Sequence, residues 1–322
     1  MSNSSGRILV TGGAGFIGSH IVERLIKEDC EVGVIDNLST GSESNIATHI
    51  RAKKVRLFNC DISDFAGVSE IVQEYETIIH EAALVSVSRS VEDPATVNSV
   101  NVDGSLNLLK AAVDSKVQKF IFASSSSVYG DSETLPKKES MTTNPISPYG
   151  VSKLTAENYC TTFARVYGLK TVSLRYFNVY GPRQKSGPYS GVIPIFVKKV
   201  LSGEAPAVNG DGNQIRDFTY VDDVVQANIL CLKKSVRPGE VYNVAAGKTI
   251  SINDLASRII ELVGKSNLVP VHGPERNGDI RASYADITKI SHDLGYKPRF
   301  TMKEGLEKVI DWFLSGNQAQ WN

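Results

Sequence analysis

A chain of 322 residues, 41 % of them hydrophobic, can bury a sizeable core and is long enough for two lobes. Thirty-five acidic side chains balance 35 basic ones, so no charge excess points to nucleic acid or a membrane surface as partner. No apolar run approaches the roughly 18 residues needed to span a bilayer, residues 1–6 lack the apolar stretch of a secretory signal, and the four cysteines, Cys30, Cys60, Cys160 and Cys231, stand isolated, which fits a reducing cytoplasm rather than a disulfide framework or a metal site.

Arg7–Thr11 is a short, β-branched-rich run that reads as a buried strand. Gly12-Gly13-Ala14-Gly15-Phe16-Ile17-Gly18 follows, and Ile17, Ile21, Val22 and Leu25 then recur at helical spacing. A glycine turn between strand and helix lets the backbone approach a pyrophosphate, whose charge is met by the helix N-terminus. A second strand, Glu31–Ile35, ends at Asp36. Its carboxylate is placed to accept from a ribose 2′-hydroxyl and would repel a 2′-phosphate, so NAD is favoured over NADP. Further strands are expected at Val55–Asn59, Thr77–His80, Lys119–Ala123 and Thr171–Arg175, with helices between them, including Ala95–Asp114 and Pro148–Tyr167. This alternation predicts an α/β fold: a doubly wound parallel sheet of the Rossmann type, with ligands beyond the carboxyl ends of its strands.

After the Lys119–Ala123 strand comes a serine cluster, Ser124-Ser125-Ser126-Ser127, and then the pair Tyr149-Gly150-Val151-Ser152-Lys153. On a helix Lys153 lies over the same face as Tyr149. An ammonium beside a phenol favours the phenolate. A free tyrosine titrates near ~10, so a base working at neutrality needs a shift of roughly three units. A phenol, an ammonium and a serine hydroxyl together suit alcohol–ketone chemistry.

From Gly181 the texture changes to loops rich in glycine and proline, followed by amphipathic segments at Val221–Lys234, Ile252–Val263 and Met302–Leu314. The expected division is residues 1–180 as the cofactor-binding domain carrying the catalytic residues. Residues 181–322 form mainly a smaller C-terminal substrate-binding lobe, with segments such as Glu240–Val244 returning to the main sheet. Arg216 and Arg276 fall in loops, where a guanidinium can fork onto phosphate oxygens.

Thr11–Gly18, His80–Ala83, Ser124–Gly130, Tyr149–Lys153, Leu174–Asn178, Arg216–Phe218 and Arg276–Asp279 together resemble the extended short-chain dehydrogenase/reductases, specifically their nucleotide-sugar 4-epimerase branch. The resemblance covers essentially the whole chain. It implies Ser125, Tyr149 and Lys153 as catalytic residues. It places NAD against Gly12, Gly15, Phe16, Ile17, Gly18, Asp36, Asn37, Asp61, Ile62, Ala82, Ala83, Asn101, Tyr149, Lys153 and Tyr176. A UDP-sugar would then meet Ser125, Ser127, Tyr149, Asn178, Val192, Arg216, Arg276, Asp279 and Ser283. The family commonly forms homodimers by pairing helices, here near Val97–Ser115 and Tyr149–Tyr167.

Related 4,6-dehydratases carry an Asp-Glu pair where this chain has Ser126 and Ser127, which leaves no evident acid to expel water from C6. The stretches Glu81–Gly104 and Gly181–Gln184 look closer to bacterial UDP-N-acetylglucosamine 4-epimerases than to the UDP-glucose enzymes. Ser283 resembles a gate beside the sugar C2 substituent, where a small residue leaves room for an N-acetyl group. The leading expectation is therefore redox-neutral inversion of C4 through a 4-keto sugar. A 4-reductase or dehydratase is the second reading, and a non-catalytic NAD sensor, which would need neither Tyr149 nor Lys153, the third.

Overall fold

The computed structural model describes residues 6–185, 191–275 and 280–316. Its central sheet is built from β1 (Arg7–Thr11), β2 (Glu31–Ile35), β3 (Val55–Phe58), β4 (Thr77–His80), β5 (Lys119–Ser125), β6 (Lys170–Tyr176) and a seventh strand, Glu240–Val244. All are parallel, and the order across the sheet is Glu240–Val244, β6, β5, β4, β1, β2, β3. The chain order reverses between β1 and β4, so the crevice at their carboxyl ends is the topological switch point where such sheets bind ligands.

The strands are apolar throughout because both faces of the sheet are covered. Successive side chains point to opposite faces. Ile8 and Val10 join Val34, Ile79 and Ile121 under helices Phe16–Lys27 and Val221–Lys233. Leu9, Ile78, Phe120 and Phe122 face the other way, against Leu108, Leu109, Ala156 and Phe163. Each such buried side chain contributes roughly 1.5–3 kcal/mol.

Helix Pro148–Tyr167 carries its boundaries in its sequence. The Ser147 hydroxyl accepts from the Gly150 N–H, Pro148 occupies the first turn, and Gly168 ends the helix at φ +72°. The helix expected over Ala95–Asp114 is not uniform. It runs Pro94–Asn98, opens into a π turn at Ser99–Asp103 and resumes as Gly104–Asp114. The wide turn carries Asn101 into the interior, where its amide donates to the Leu84 carbonyl and the Ser152 hydroxyl and its Oδ1 accepts from the Leu84 N–H.

A separate core gathers Tyr180, Phe196, Val200, Leu255, Ile259, Val309 and Phe313. Helix Met302–Leu314 enters it behind a capping box of Thr301 and Glu304. The chain does not stay in that lobe. Helix Val221–Lys233, strand Glu240–Val244 and Ile290 and Leu294 all pack on the main sheet. Beside the lobe, strand Ile215–Arg216 pairs antiparallel with Ile250–Ser251 and parallel with Ala282–Ser283.

Candidate active site

The turn after β1 can only be built with glycine. Gly12 sits at φ +66°, and a Cβ there would lie 2.7 Å from the Ala82 backbone nitrogen. A Cβ on Gly18 would lie 2.2 Å from the Gly12 carbonyl oxygen, so these two glycines bring the turn, the helix and the end of β4 together. Gly15 caps the Phe16–Lys27 helix and has no side chain to bond the first-turn N–H groups, a helix N-terminus suited to an anion. Phe16 and Ile17, in that first turn, pack toward the second lobe.

At the end of β2, Asp36 accepts from the Ala14 and Leu38 N–H groups, each at 2.9 Å. Burial raises its carboxyl against these two bonds. A carboxylate has about four lone-pair sites, so acceptor capacity remains for a hydroxyl. One strand further out, Asn37 donates to Asp61 at 2.7 Å. Burial would raise the Asp61 carboxyl, but the Ser63 N–H and hydroxyl and the Asn37 amide hold it below the ordinary range. Ile62 packs against Gly104, where any Cβ would come within 2.6 Å of it. Gly12, Asp36 and Asp61 thus stand at the carboxyl ends of β1, β2 and β3. That backbone cradle with acceptors beside it fits a dinucleotide.

Ala82 and Ala83 follow β4, and a buried chain of hydrogen bonds fixes them. Ser105 donates to the Asn101 carbonyl at 2.6 Å and so accepts from His80 Nε2 at 2.8 Å. His80 Nδ1 is then left to accept from the Thr11 hydroxyl at 2.7 Å, and Thr11 Oγ1 accepts from the Ala82 N–H at 3.3 Å. Burial, then the charge of Lys153, pushes His80 down to about 3, so it is a neutral strut. Asn101 belongs to the same scaffold: its amide clamps the Leu84 backbone to the Tyr149 helix.

Ser125 ends β5 opposite Tyr176 of β6. Its oxygen accepts from the Ser127 N–H at 3.2 Å and the Ser127 hydroxyl at 2.9 Å. The Ser125 proton is left for the Tyr149 oxygen, a donation that favours the phenolate. Lys153 is buried and donates to the Ala123 carbonyl at 2.9 Å, with its ammonium 5.1 Å from the centre of the Phe122 ring.

The electrostatics differ from the sequence expectation. The protein groups by themselves do not lower Tyr149 toward neutrality. Burial pushes it up to about 12, with the Ser125 bond opposing and the charge of Glu81 adding to the rise. Burial also pushes Lys153 down to about 8, against the pull of Glu81 and Cys160. The expectation weighed two positive charges, that of Lys153 and that of a nicotinamide ring, and left out desolvation, which dominates in a site this deep.

Glu81 is the residue that the sequence reading missed. It follows β4 directly and accepts from the Tyr176 hydroxyl at 2.7 Å, and Tyr176 in turn accepts from the Asn228 amide at 2.7 Å. Burial raises Glu81 to about 7, against the Tyr176 bond and the Lys153 charge. The available signal was an acidic side chain at the carboxyl edge of an otherwise apolar strand.

Beyond the Tyr149 side of the crevice, Asn178, Val192, Arg216 and Phe218 line a cavity of about 290 Å³. Asn178 follows β6 by two residues at φ +35° and donates to the Asp217 carbonyl at 2.9 Å. Val192 opens a helix capped by Gly191 without a side-chain bond. Ser283 is half-buried beside Arg216 in the short parallel ladder, and its carbonyl accepts from the Asp217 N–H at 2.9 Å. The Asp217 carboxylate accepts from the Ala246 and Gly247 N–H groups, which holds the Arg216 segment in place. Arg276 and Asp279 lie outside the described residues.

Comparison with known proteins matches residues 8–245 to the NAD dependent epimerase/dehydratase family. A putative UDP-glucose 4-epimerase of Methanocaldococcus jannaschii is 41 % identical over 97 % of this chain and 100 % of its own. The crystal structure of a UDP-glucose 4-epimerase from Thermotoga maritima with UDP-glucose is 40 % identical, with a TM-score of 0.91 over 96 % of this chain and 99 % of that one. A UDP-N-acetylglucosamine 4-epimerase from Methanobrevibacter ruminantium, in complex with UDP-N-acetylmuramic acid, is 41 % identical, with a TM-score of 0.92 over 97 % and 99 %. With a family match over most of its length and relatives that align end to end, the chain belongs to the NAD dependent epimerase/dehydratase family.

Proposed function

We propose that this protein inverts C4 of a UDP-hexose with NAD as its cofactor and no net oxidation. The observation that carries the reading is the convergence of Ser125, Tyr149 and Lys153 at the carboxyl end of β5, between a dinucleotide cradle and the cavity that holds Arg216. Bound NAD, held by the Gly12–Gly18 turn and Asp36, would supply the acceptor for the C4 hydride and the donor for its return. Tyr149 takes the proton of the sugar 4-hydroxyl and gives it back. Ser125, whose oxygen is fixed by Ser127, bonds the same sugar oxygen. Lys153 has two N–H donors beyond the one held by Ala123 and stabilises the phenolate. Because burial, with the Glu81 charge adding to it, holds Tyr149 near 12, the cationic ring of bound NAD would add to the positive charge that Lys153 provides.

Ser126 and Ser127 supply no carboxyl group for water elimination, which favours epimerisation over dehydration. Arg216 bonds the diphosphate, with Arg276 and Asp279 assigned to the same ligand from the sequence. Ser283, small and next to Arg216, admits an N-acetyl group, so both UDP-glucose/UDP-galactose and UDP-GlcNAc/UDP-GalNAc are substrates. The enzyme works in the cytoplasm as a homodimer, pairing through helix Pro148–Tyr167, whose Val151, Val166 and Tyr167 are exposed. Incubating the purified protein separately with these four sugars, with the products separated, tests the reading. Interconversion without added cofactor is expected. Net reduction, loss of water or no turnover of any of the four overturns it.

A further inference from the structure

Glu81 has no role in the chemistry described above, yet its position is unusual. β4 and β5 run in register with His80 opposite Phe122, which puts Glu81 one step on, beside Ala123, whose carbonyl holds Lys153. From β6, Tyr176 donates its hydroxyl proton to Glu81, and from helix Val221–Lys233, Asn228 fixes that hydroxyl. Helix Pro148–Tyr167 presents Lys153 and Tyr149, both of which feel the Glu81 charge. Preceding it on β4, His80 is neutral, and on β1 the Thr11 carbonyl accepts from the Glu81 N–H. Cys231, behind Tyr176, is held in the thiol form by burial. Among the described residues Lys153 is therefore the one cation in this set of neighbours, and Glu157, one turn further along its helix, is taken up by Arg175 and Ser124.

We propose that Glu81 is a positioning residue: a half-buried counter-charge that keeps Lys153 protonated and so sets the alkaline limit of Tyr149 catalysis. This rests on the catalytic reading given above. Burial strips protons from an ammonium, and a carboxylate nearby returns them. The Tyr176 hydroxyl keeps Glu81 ionised over the range in which Lys153 would otherwise lose its proton. Below about pH 7 Glu81 is itself protonated, but there Lys153 needs no help. The effect is therefore confined to the alkaline side.

The test is Glu81→Gln in the NAD-loaded enzyme, since Gln can still accept from Tyr176. The Lys153 side chain is followed by NMR in protein labelled with ¹³Cε-lysine, assigned with Lys153→Arg. Its titration midpoint should fall on the order of one pH unit, and Glu81→Asp should restore most of the difference. The descending alkaline limb of kcat should move down with it, while the profiles converge below about pH 7. A merely structural role would lower turnover without moving either. An unchanged Lys153 midpoint in Glu81→Gln overturns the proposal even in an active enzyme. A shifted midpoint in a protein that epimerises no sugar upholds it and sinks the catalytic reading instead. If Glu81→Gln does not fold, Tyr176→Phe withdraws the bond that keeps Glu81 ionised. The midpoint should then fall by a smaller amount, and no fall counts against the proposal.

Discussion

Two interior glutamates, Glu157 buried and Glu81 half-buried, serve consecutive register pairs of the same strands in different ways. Ser124 lies opposite Arg175, and Ser125 opposite Tyr176. Glu157 serves the first pair. Arg175 donates to it twice, at 2.5 and 3.0 Å, and Ser124 once, at 2.6 Å. Burial would lower the Arg175 guanidinium, but Glu157 holds it above its usual range, and the cation also lies 4.7 Å from the Tyr129 ring centre. Glu81 serves the second pair with a single hydroxyl donor. This cluster, in which both Glu157 oxygens are paired and only Arg175 Nη1 is left over, locks β5, β6 and the Tyr149 helix together. The incomplete one leaves charge to be shared with Lys153 and Tyr149. Full pairing makes a buried charge inert, and partial pairing makes it chemically available.

The contrast predicts different losses. Tyr149→Phe should keep the fold and bound NAD but lose epimerisation by about 10²–10⁴-fold, read from product formation at saturating sugar. Turnover near that of the parent enzyme would remove Tyr149 from the site. Glu157→Gln should instead lose stability, about 3–5 kcal/mol in denaturant melts, because it strands the Arg175 charge in the interior.

Glu81→Gln should act on stability in the opposite sense. Its folded pKa of about 7 lies above the ordinary 4.5, so the folded state holds the proton more tightly. The stability this contributes is complete below about 4.5 and is lost as pH rises through about 7. The charge thus costs stability at pH 8, and the cofactor-free variant should melt at higher denaturant there, by about 1–3 kcal/mol. At pH 4.5 the two proteins should coincide. Destabilisation of both variants at pH 8 would erase the distinction between the two acids.

Two smaller effects lie at the ends of the crevice. Asp36→Ala should weaken NAD retention by roughly 10–100-fold through loss of a bond to a charged acceptor, measured by assaying dinucleotide released on denaturation. Equal retention would place the ribose elsewhere. Ser283→Tyr should reduce turnover of the N-acetylated pair by about tenfold or more while sparing UDP-glucose and UDP-galactose. Equal loss on both pairs would show that Ser283 is no gate.

Much of the fold was legible because its signals are local. β1, β2 and the Met302–Leu314 helix occupy the residues their patterns mark, since apolar periodicity, glycine turns and caps act over a few residues. The interruption at Ser99–Asp103 was not legible: Asn101 is drawn inward by the Leu84 backbone and Ser152, partners distant in sequence. The excursions after Gly181 were only partly legible, because the apolar faces of a returning helix and of a lobe helix look alike until each is packed.

Sequence by itself determined which chemical groups meet the crevice: a glycine turn where a Cβ would strike Ala82, an aspartate after β2, and the Tyr149–Lys153 spacing on one helix. Tertiary structure alone decided their charge. Burial carries Tyr149 and Lys153 in opposite directions from their ordinary values, Glu81 enters from another strand to bear on both, and Glu157 is paired with Arg175 one residue pair away. Proton affinity depends on desolvation and on charges that are near in space but remote along the chain, and spacing along a single helix records neither.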